Sequence, residues 1–486
     1  MTHMVKKVDF LVVTPPKKES FLEAIFDGID RWKINLLDRD ALELCSFLRE
    51  NGYTVAYIPL NLLFPYYTEK ADKEITQMLE GYDAKYLIDA TYFLNEGVMF
   101  FTLKNILKRN IRLKNKFVNI AIGNYANHSN NILQELGYYF SGSYVSFYSS
   151  LNSNSIPGIT IKDPFQEFKF VPSYDLILEY VNIINYGGRG KLNLYIKTSI
   201  GCPYHCAFCS TNTHSYKAQN FISPSLLERE IQSIDENFGL SNVLFDCVVD
   251  DCFGLNEKRS LEHIDLLAEH NIKVKYVLMR SDVINRSDDL MKKLHAVAEY
   301  VLIGVETLND SILKNINKGE GISEILTSIL NVKKYGLKTH LNWIIGLPGE
   351  SHENMFFNLK AMAYLIRTGL ADEIEPQLLV PFPWTEIYRN QENYNIKVTD
   401  AQSYYFEESG FISCIEYSEL ENGEVERAYM LSRLICREAM SIRWPLWKLE
   451  ELIDSDVSSI ISEINKVTKL GEKHVVFDSI RGGLKL

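Results

Sequence analysis

Short apolar runs of strand length alternate with stretches of helical spacing in two separate blocks of this chain, and that alternation limits the fold more than any single residue does. In the first block Phe10-Leu11-Val12-Val13 reads as a buried strand stopped by Pro15 and Pro16, and Asp38 to Asn51 carries helical apolar spacing. Gly52 then stands where a left-handed helix cap is favoured. Val55 to Pro59, Lys85 to Asp89 and Phe117 to Ile122 read as further strands, with helix around Ile75 to Leu79 and from Met99 to Lys108. Strands separated by helices pair in parallel through right-handed crossovers and bind ligands beyond their C-terminal ends. Residues 1–145 are therefore expected to form a doubly wound, Rossmann-like α/β domain.

Residues 146–190 mix Ser, Asn, Gly and Pro with short apolar patches and read as a connector. The alternation restarts at Leu194 to Thr198 and continues through Asn242 to Val249, Val274 to Met279, Tyr300 to Val305, Thr339 to Ile345 and Glu375 to Val380. Between them Ser223 can cap a helix that starts at Pro224, and Ser260 to Glu269 has helical spacing. Six βα units are too few for a closed eight-stranded barrel and suit an open, partial (β/α)6 barrel over residues 191–388. Residues 389–486 are mainly helical in pattern, with Glu424 to Arg443 and Lys448 to Val467 the clearest stretches, and suit a cap over the barrel mouth carrying Tyr429, Trp444 and Trp447.

A formal net charge of −12 gives no basic face for a phosphate backbone, so a nucleic-acid partner is disfavoured and a small-molecule substrate expected. No run approaches the length of a membrane span, and Met1 to Asp9 lacks an apolar secretory core, so the expected location is cytoplasmic. Eight cysteines in 486 residues are too sparse for a disulfide scaffold and leave thiols free for metal. Cys45, Cys247, Cys252, Cys414 and Cys436 are scattered and read as small core residues.

The other three are not scattered. Gly201-Cys202-Pro203-Tyr204-His205-Cys206-Ala207-Phe208-Cys209 places three thiols in eight residues directly after an expected strand. Three cysteines at one given spacing would arise by chance in roughly 0.002 of chains with this cysteine content. A closed electron-transfer cluster normally takes four thiolates, so three leave one iron open. A zinc site completed by His205 or His214 is the alternative.

The Cys-x3-Cys-x2-Cys spacing with an aromatic before the last cysteine resembles the radical S-adenosylmethionine (AdoMet) superfamily. The resemblance implies a [4Fe-4S] cluster on Cys202, Cys206 and Cys209, AdoMet on the open iron, and reductive cleavage to a 5′-deoxyadenosyl radical. It extends along the barrel. Asp250-Asp251-Cys252-Phe253 resembles an Asp-Asp-x-Phe element, Gly304-Val305-Glu306 a Gly-x-Glu strand end followed by Lys318-Gly319, and Asn342-Trp343-Ile344-Ile345-Gly346-Leu347-Pro348-Gly349-Glu350 a turn that cradles adenosine. By this resemblance Phe208, Asp250, Asp251, Arg280, Glu306, Asn342, Ile344 and Gly346 are the candidate AdoMet contacts. In Pro381-Phe382-Pro383-Trp384-Thr385, Trp384 stands where the family usually has glycine.

A doubly wound domain ahead of such a barrel, with Thr14-Pro15-Pro16 after the first strand, resembles the cobalamin-binding class of that superfamily. Thr14, Pro15, Gly123, Asn124 and Tyr125 are the cobalamin-binding candidates that follow. The chain departs from the class in having Gly123-Asn124 for a Gly-Gly turn and no Asp-x-His-x-x-Gly motif; His128, just past the turn, reads mainly as a loop residue. The resemblance implies a methyltransferase acting on an unactivated carbon of a small metabolite or natural-product intermediate, with an electron donor such as flavodoxin or ferredoxin. Cyclisation, ring contraction or rearrangement without methyl transfer is the competing activity. A non-catalytic cobalamin or metal sensor and a methylthio-transferring RNA modifier are the further alternatives.

Overall fold

Phe10 to Val13 are fully buried at the end of β1 (Lys6–Val13), as a strand covered on both faces requires. The computed structural model describes residues 5–18, 36–64, 66–67, 69–90, 116–122, 138–142, 144–164, 166, 169–184, 191–209, 220–382, 385–399, 413–418, 420–421 and 423–440. Within them the chain divides into two compact units, one built on Met1–Tyr195 with Ile222–Asp246, the other on Ile196–Phe221 with Cys247–Tyr404.

In the first unit α1 (Arg39–Glu50) starts where the Asp38 carboxylate accepts the Ala41 N–H, and the chain leaves it through Gly52 at φ 88°. There follow β2 (Val55–Ile58), α2 (Glu69–Glu80), β3 (Tyr82–Ala90), β4 (Val118–Ile122), β5 (Tyr138–Gly142) and α3 (Tyr144–Asn152). The sheet runs β2-β1-β3-β4-β5 with every pair parallel. Register pairs Phe10 with Tyr86, and their rings stack at 4.8 Å. The doubly wound expectation holds, with two additions. Tyr138–Gly142 is a fifth strand beyond those the sequence pattern marks, and α3 occupies the start of the expected connector, burying Phe147 and Leu151.

A buried ion network also lies in this unit. Arg39 donates from Nε and Nη2 to the two Glu230 carboxylate oxygens at 2.8 and 2.7 Å and from Nη1 to Glu43 at 2.9 Å. Tyr174 donates its hydroxyl to Glu230 as well, at 2.9 Å. Glu230 belongs to α4 (Pro224–Phe238), capped by Ser223 as its sequence predicts, so the network ties α1 to α4.

The strands of the second alternating block are β6 (Leu192–Ile196), β7 (Val243–Val248), β8 (Val274–Met279), β9 (Ala298–Glu306), β10 (Lys338–Ile345) and β11 (Glu373–Leu378), alternating with α4, α5 (Glu257–Glu269), α6 (Asp288–Val297), α7 (Ile322–Lys334) and α8 (His352–Arg367). They form one six-stranded sheet ordered β11-β10-β9-β8-β7-β6, and β8 to β11 pair in parallel. This is the open half-barrel that six βα units predict. Along β10 Thr339, Leu341, Trp343 and Ile345 are fully buried, and by strand alternation His340, Asn342 and Ile344 share the opposite face. α9 (Glu424–Met440) confirms the first C-terminal helix; the expected helices over 99–108 and 448–467 lie outside the described residues, as do Trp444 and Trp447.

Candidate functional site

The cysteine loop begins where β6 ends, and two carboxylates fix its start. Asp250 accepts four hydrogen bonds, from the N–H and hydroxyl of Thr198 at 2.7 and 2.5 Å and from those of Ser199 at 2.9 and 2.7 Å. Asp251 accepts the Gly201 N–H at 2.6 Å, and Gly201 has φ 96°, a backbone shape that favours glycine. The Asp-Asp pair therefore shapes the entry to Cys202.

Distant strand-end segments hold the rest of the loop. The Ala207 N–H bonds the Ile316 carbonyl at 2.8 Å, the Ile387 N–H bonds the Ala207 carbonyl at 3.1 Å, and Asn317 donates its side-chain amide to the His205 carbonyl at 3.2 Å. Cys206 is buried and Cys202 and Cys209 are half-buried, as is Phe208 between them. Burial pushes the Cys202 and Cys206 thiols up, so both need a cation or metal to ionise readily. No three His, Cys, Asp or Glu side chains converge on a single-ion site among the described residues. A four-iron cube spans thiolates set further apart than one ion allows. His205 is exposed, and His214 lies outside the described residues, as do Trp384 and Pro383.

Arg280, directly after β8, reaches this loop. Its guanidinium lies 3.5 Å from the Tyr204 ring centroid, Nη1 points at the Cys206 sulfur at 3.8 Å, and Nη2 donates to the Lys318 carbonyl at 3.0 Å. Asp282 takes Arg280 Nε at 3.0 Å and the Tyr204 hydroxyl. Burial and the bond to Asp282 lift the Tyr204 phenol to about 12.

Glu306 closes β9 at a bulge that shifts the register after Gly304, with φ 62° at Glu306 itself. Its carboxylate accepts Lys318 Nζ at 2.9 Å, and both side chains are nearly buried. A Cβ on Gly304 would strike the Glu306 carboxylate and come within 2.8 Å of Lys318 Nζ, so glycine is what lets this pair lie against the strand. Burial works against the Lys318 charge, but Glu306 and Glu320 outweigh it and hold the ammonium above its ordinary range.

At the end of β10, Gly346 turns with φ 87°, and its N–H is accepted by buried Glu350 at 2.7 Å. Asn358 of α8 donates to Glu350 at 3.3 Å and to the Thr307 hydroxyl at 2.9 Å, and accepts the Leu308 N–H at 3.0 Å. One side chain thus joins the turn after β10 to the turn after β9. Tyr417 adds its hydroxyl to the Gly346 carbonyl at 2.5 Å. Asn342 Oδ1 is buried with no hydrogen-bond partner among the described residues, on the same strand face as Ile344. Further down that face His340 lies 2.9 Å from Glu373 and 3.3 Å from Glu375.

The second unit thus collects Phe208, Asp250, Asp251, Arg280, Glu306, Asn342, Ile344 and Gly346 on the cysteine loop and the ends of its strands. Asp282, Glu320, Glu350, Asn358 and Tyr417 join them without having been singled out by sequence; only Glu350 closed a recognised motif. In the first unit Thr14, at the end of β1, hydrogen-bonds the Tyr57 hydroxyl at 2.7 Å and the Asp38 carboxylate at 3.3 Å, with Pro15 next to it. Gly123, Asn124, Tyr125 and His128 lie outside the described residues.

Known proteins are similar to parts of this chain. An uncharacterized methyltransferase of Pyrococcus horikoshii is 25% identical over 231 residues, which cover 47% of this chain and 48% of that one. The bacteriochlorophyllide d C-8(2)-methyltransferase of Chlorobaculum tepidum is 24% identical over 238 residues, 47% of this chain and 52% of its own. The chain thus spans about half the length of these curated relatives. The structure of the radical S-adenosylmethionine methyltransferase TsrM from Kitasatospora setae, with cobalamin and [4Fe-4S] cluster bound, superposes with a TM-score of 0.55 at 12% identity, covering 90% of each chain. That likeness is one of fold. Residues 196–356, from the end of β6 past the turn after β10 and about a third of the chain, match the radical SAM superfamily.

Proposed function

We propose that this chain is a cobalamin-dependent radical AdoMet methyltransferase that modifies an unactivated carbon of a small metabolite or natural-product intermediate. One observation carries the reading: a parallel five-stranded, doubly wound sheet precedes a half-barrel whose strand ends gather around a three-thiol loop. The methyltransferase names of both relatives support the reaction type. Residues 1–145 would be the cobalamin-binding domain, 146–190 a connector, 191–388 the radical AdoMet barrel and 389–486 the mainly helical region.

The residues fit the cofactors. Cys202, Cys206 and Cys209 offer three thiolates and leave one iron open for AdoMet. Buried, partnerless Asn342 Oδ1 suits a donor such as the adenine amino group, and Glu306 offers acceptors for ribose hydroxyls or an amino group. In the first unit the Tyr144 hydroxyl and Asn61 Oδ1 are buried without hydrogen-bond partners among the described residues, and the Asn61 N–H bonds the Thr14 carbonyl at 3.0 Å. An acceptor left open beside Thr14 and a donor left open at Tyr144 suit the amide-rich rim of a corrinoid.

When bound, the cluster with AdoMet supplies a 5′-deoxyadenosyl radical and cobalamin supplies the methyl group. The chain's own task is placement. Asp250 and Asp251 set the loop entry, Asn358 couples the two turns that would face AdoMet, and the Glu306–Lys318 pair fixes one carboxylate between them. The electron would come from a small donor such as flavodoxin or ferredoxin, and the cytoplasm is the expected setting. Among the described residues no helix is long and apolar enough to cross a membrane.

Anaerobic reconstitution with iron, sulfide and hydroxocobalamin, followed by desalting and a 5′-deoxyadenosine assay, tests the reading. Retained corrinoid with deoxyadenosine formation that needs all three cysteines supports it. AdoMet cleavage with cobalamin lost on desalting rejects methyl transfer and leaves cyclisation or rearrangement.

A further inference from the structure

Arg280 stands at a strand end where the superfamily resemblance suggests an AdoMet contact, yet its geometry engages the cysteine loop. Nη1 donates to the Cys206 sulfur at 3.8 Å, Nη2 to the Lys318 carbonyl at 3.0 Å and Nε to Asp282 at 3.0 Å, while the guanidinium plane covers Tyr204 at 3.5 Å. Each of its three nitrogens is taken by a protein group. We propose that Arg280 acts on the cluster rather than on AdoMet: as hydrogen-bond donor to the Cys206 thiolate it raises the midpoint potential of the [4Fe-4S] couple, and Tyr204 and Asp282 hold it in place.

The direction follows from charge. One-electron reduction makes the cluster and its thiolates more negative, and an N–H donor with a full positive charge beside one sulfur stabilises that form. Arg280 is buried, with only 8% of its side chain exposed, so water screens little of the effect. Its orientation is over-determined. Asp282 bonds both Arg280 and the Tyr204 hydroxyl, Glu320 lies 3.5 Å from Nη2, and Glu320 also accepts the Asp282 N–H at 3.1 Å. A planar fork stacked on a ring and held at three points is a task lysine cannot copy. Lys318 brings a second buried cation whose charge also favours the Cys206 thiolate; its ammonium is tied to Glu306 at 2.9 Å, and its carbonyl orients the Arg280 that donates to the sulfur.

The inference rests on Cys206 ligating the cluster, and the test separates the two. Wild type, Arg280→Met and Arg280→Lys are reconstituted anaerobically, iron and sulfide are counted, and the reduced cluster's EPR signal is titrated against potential with a chemical reductant. AdoMet is then added, and the concentration that changes the signal is read. The expected result is a midpoint more negative than wild type in Arg280→Met, a smaller negative shift in Arg280→Lys, and AdoMet concentrations within about threefold of wild type. An unmoved potential with at least a tenfold higher AdoMet requirement overturns the inference and returns Arg280 to AdoMet binding. If Arg280→Met loads no iron, Arg280→Lys decides alone: a wild-type potential overturns the inference, a negative shift upholds it. A wild-type chain that takes up no cluster overturns the functional reading as well.

Discussion

Glu350 is a carboxylate placed where ionisation is costly, and replacing it with Gln should change how the stability of the fold depends on pH. It is 2% exposed, and burial lifts its pKa from an ordinary 4.5 to about 7, against the pull of the Gly346 and Leu347 N–H groups and the Asn358 amide. A group whose folded pKa is raised stabilises the fold fully below its unfolded value, and that contribution is lost as pH rises through the folded value. For Glu350 the window runs from 4.5 to about 7. At ~1.4 kcal/mol per pH unit, the wild type should lose roughly 2–3 kcal/mol between pH 5 and pH 8 through this group. Glu350→Gln has no proton to lose. Its carbonyl can still accept the Gly346 N–H, and its amide facing Asn358 adds an offset that pH does not change. Urea unfolding followed by tryptophan fluorescence at pH 5, 6, 7 and 8 gives the variant-minus-wild-type difference, in which other titrating groups cancel. That difference should move in the variant's favour by the stated amount as pH rises. A difference flat within about 0.5 kcal/mol would refute the reasoning, because it would mean the three donors keep Glu350 ionised throughout.

Arg39→Met leaves Glu230 and Glu43 buried without their shared cation, and should destabilise the first unit by about 3–5 kcal/mol in denaturant unfolding, where a loss below about 1 kcal/mol would argue against the network. Gly304→Ala drives a methyl group into the Glu306–Lys318 pair. It should weaken AdoMet binding, read by equilibrium dialysis, on the order of tenfold to a hundredfold, with iron content unchanged.

Period and punctuation made the two alternating blocks readable. Strand cores such as Phe10 to Val13 and Val274 to Met279, a helix start at Ser223-Pro224 and a helix stop at Gly52 sit within a few residues of where composition puts them. Tyr138–Gly142 escaped because an aromatic run flanked by Gly137 and Gly142 has the composition of a turn, and only pairing with β4 makes it a strand. α3 escaped because Ser149, Ser150 and Ser153 masked the spacing of Phe147 and Leu151. At the site, the thiol spacing was legible because one loop carries all three cysteines. Asn358 and Tyr417 were not, since they meet Thr307 and Gly346 across 51 and 71 residues of sequence, and an asparagine in a helix carries no local mark of such a partner. The left-handed conformation of Glu306 was equally silent, because it follows from the bulge and not from the residue.

The same long reach explains why the cysteine loop has shape at all. Between Thr198 and Cys209 the loop is fastened by Asp250 and Asp251 after β7, by Ile316 and Asn317 after β9 and by Ile387 beyond β11, each of which is brought alongside only once the sheet has formed. Local sequence supplies one short turn, from the Cys209 N–H to the Cys206 carbonyl at 3.0 Å. Three thiols at this spacing on an unfolded chain would pay the full entropy of loop ordering to meet a cluster. On the folded sheet that cost has been met by backbone contacts, and cluster affinity becomes linked to barrel stability. Carboxylates such as Asp250, which hold the start of the loop through Thr198 and Ser199, would then act on cluster binding through the loop's shape and not through ligation.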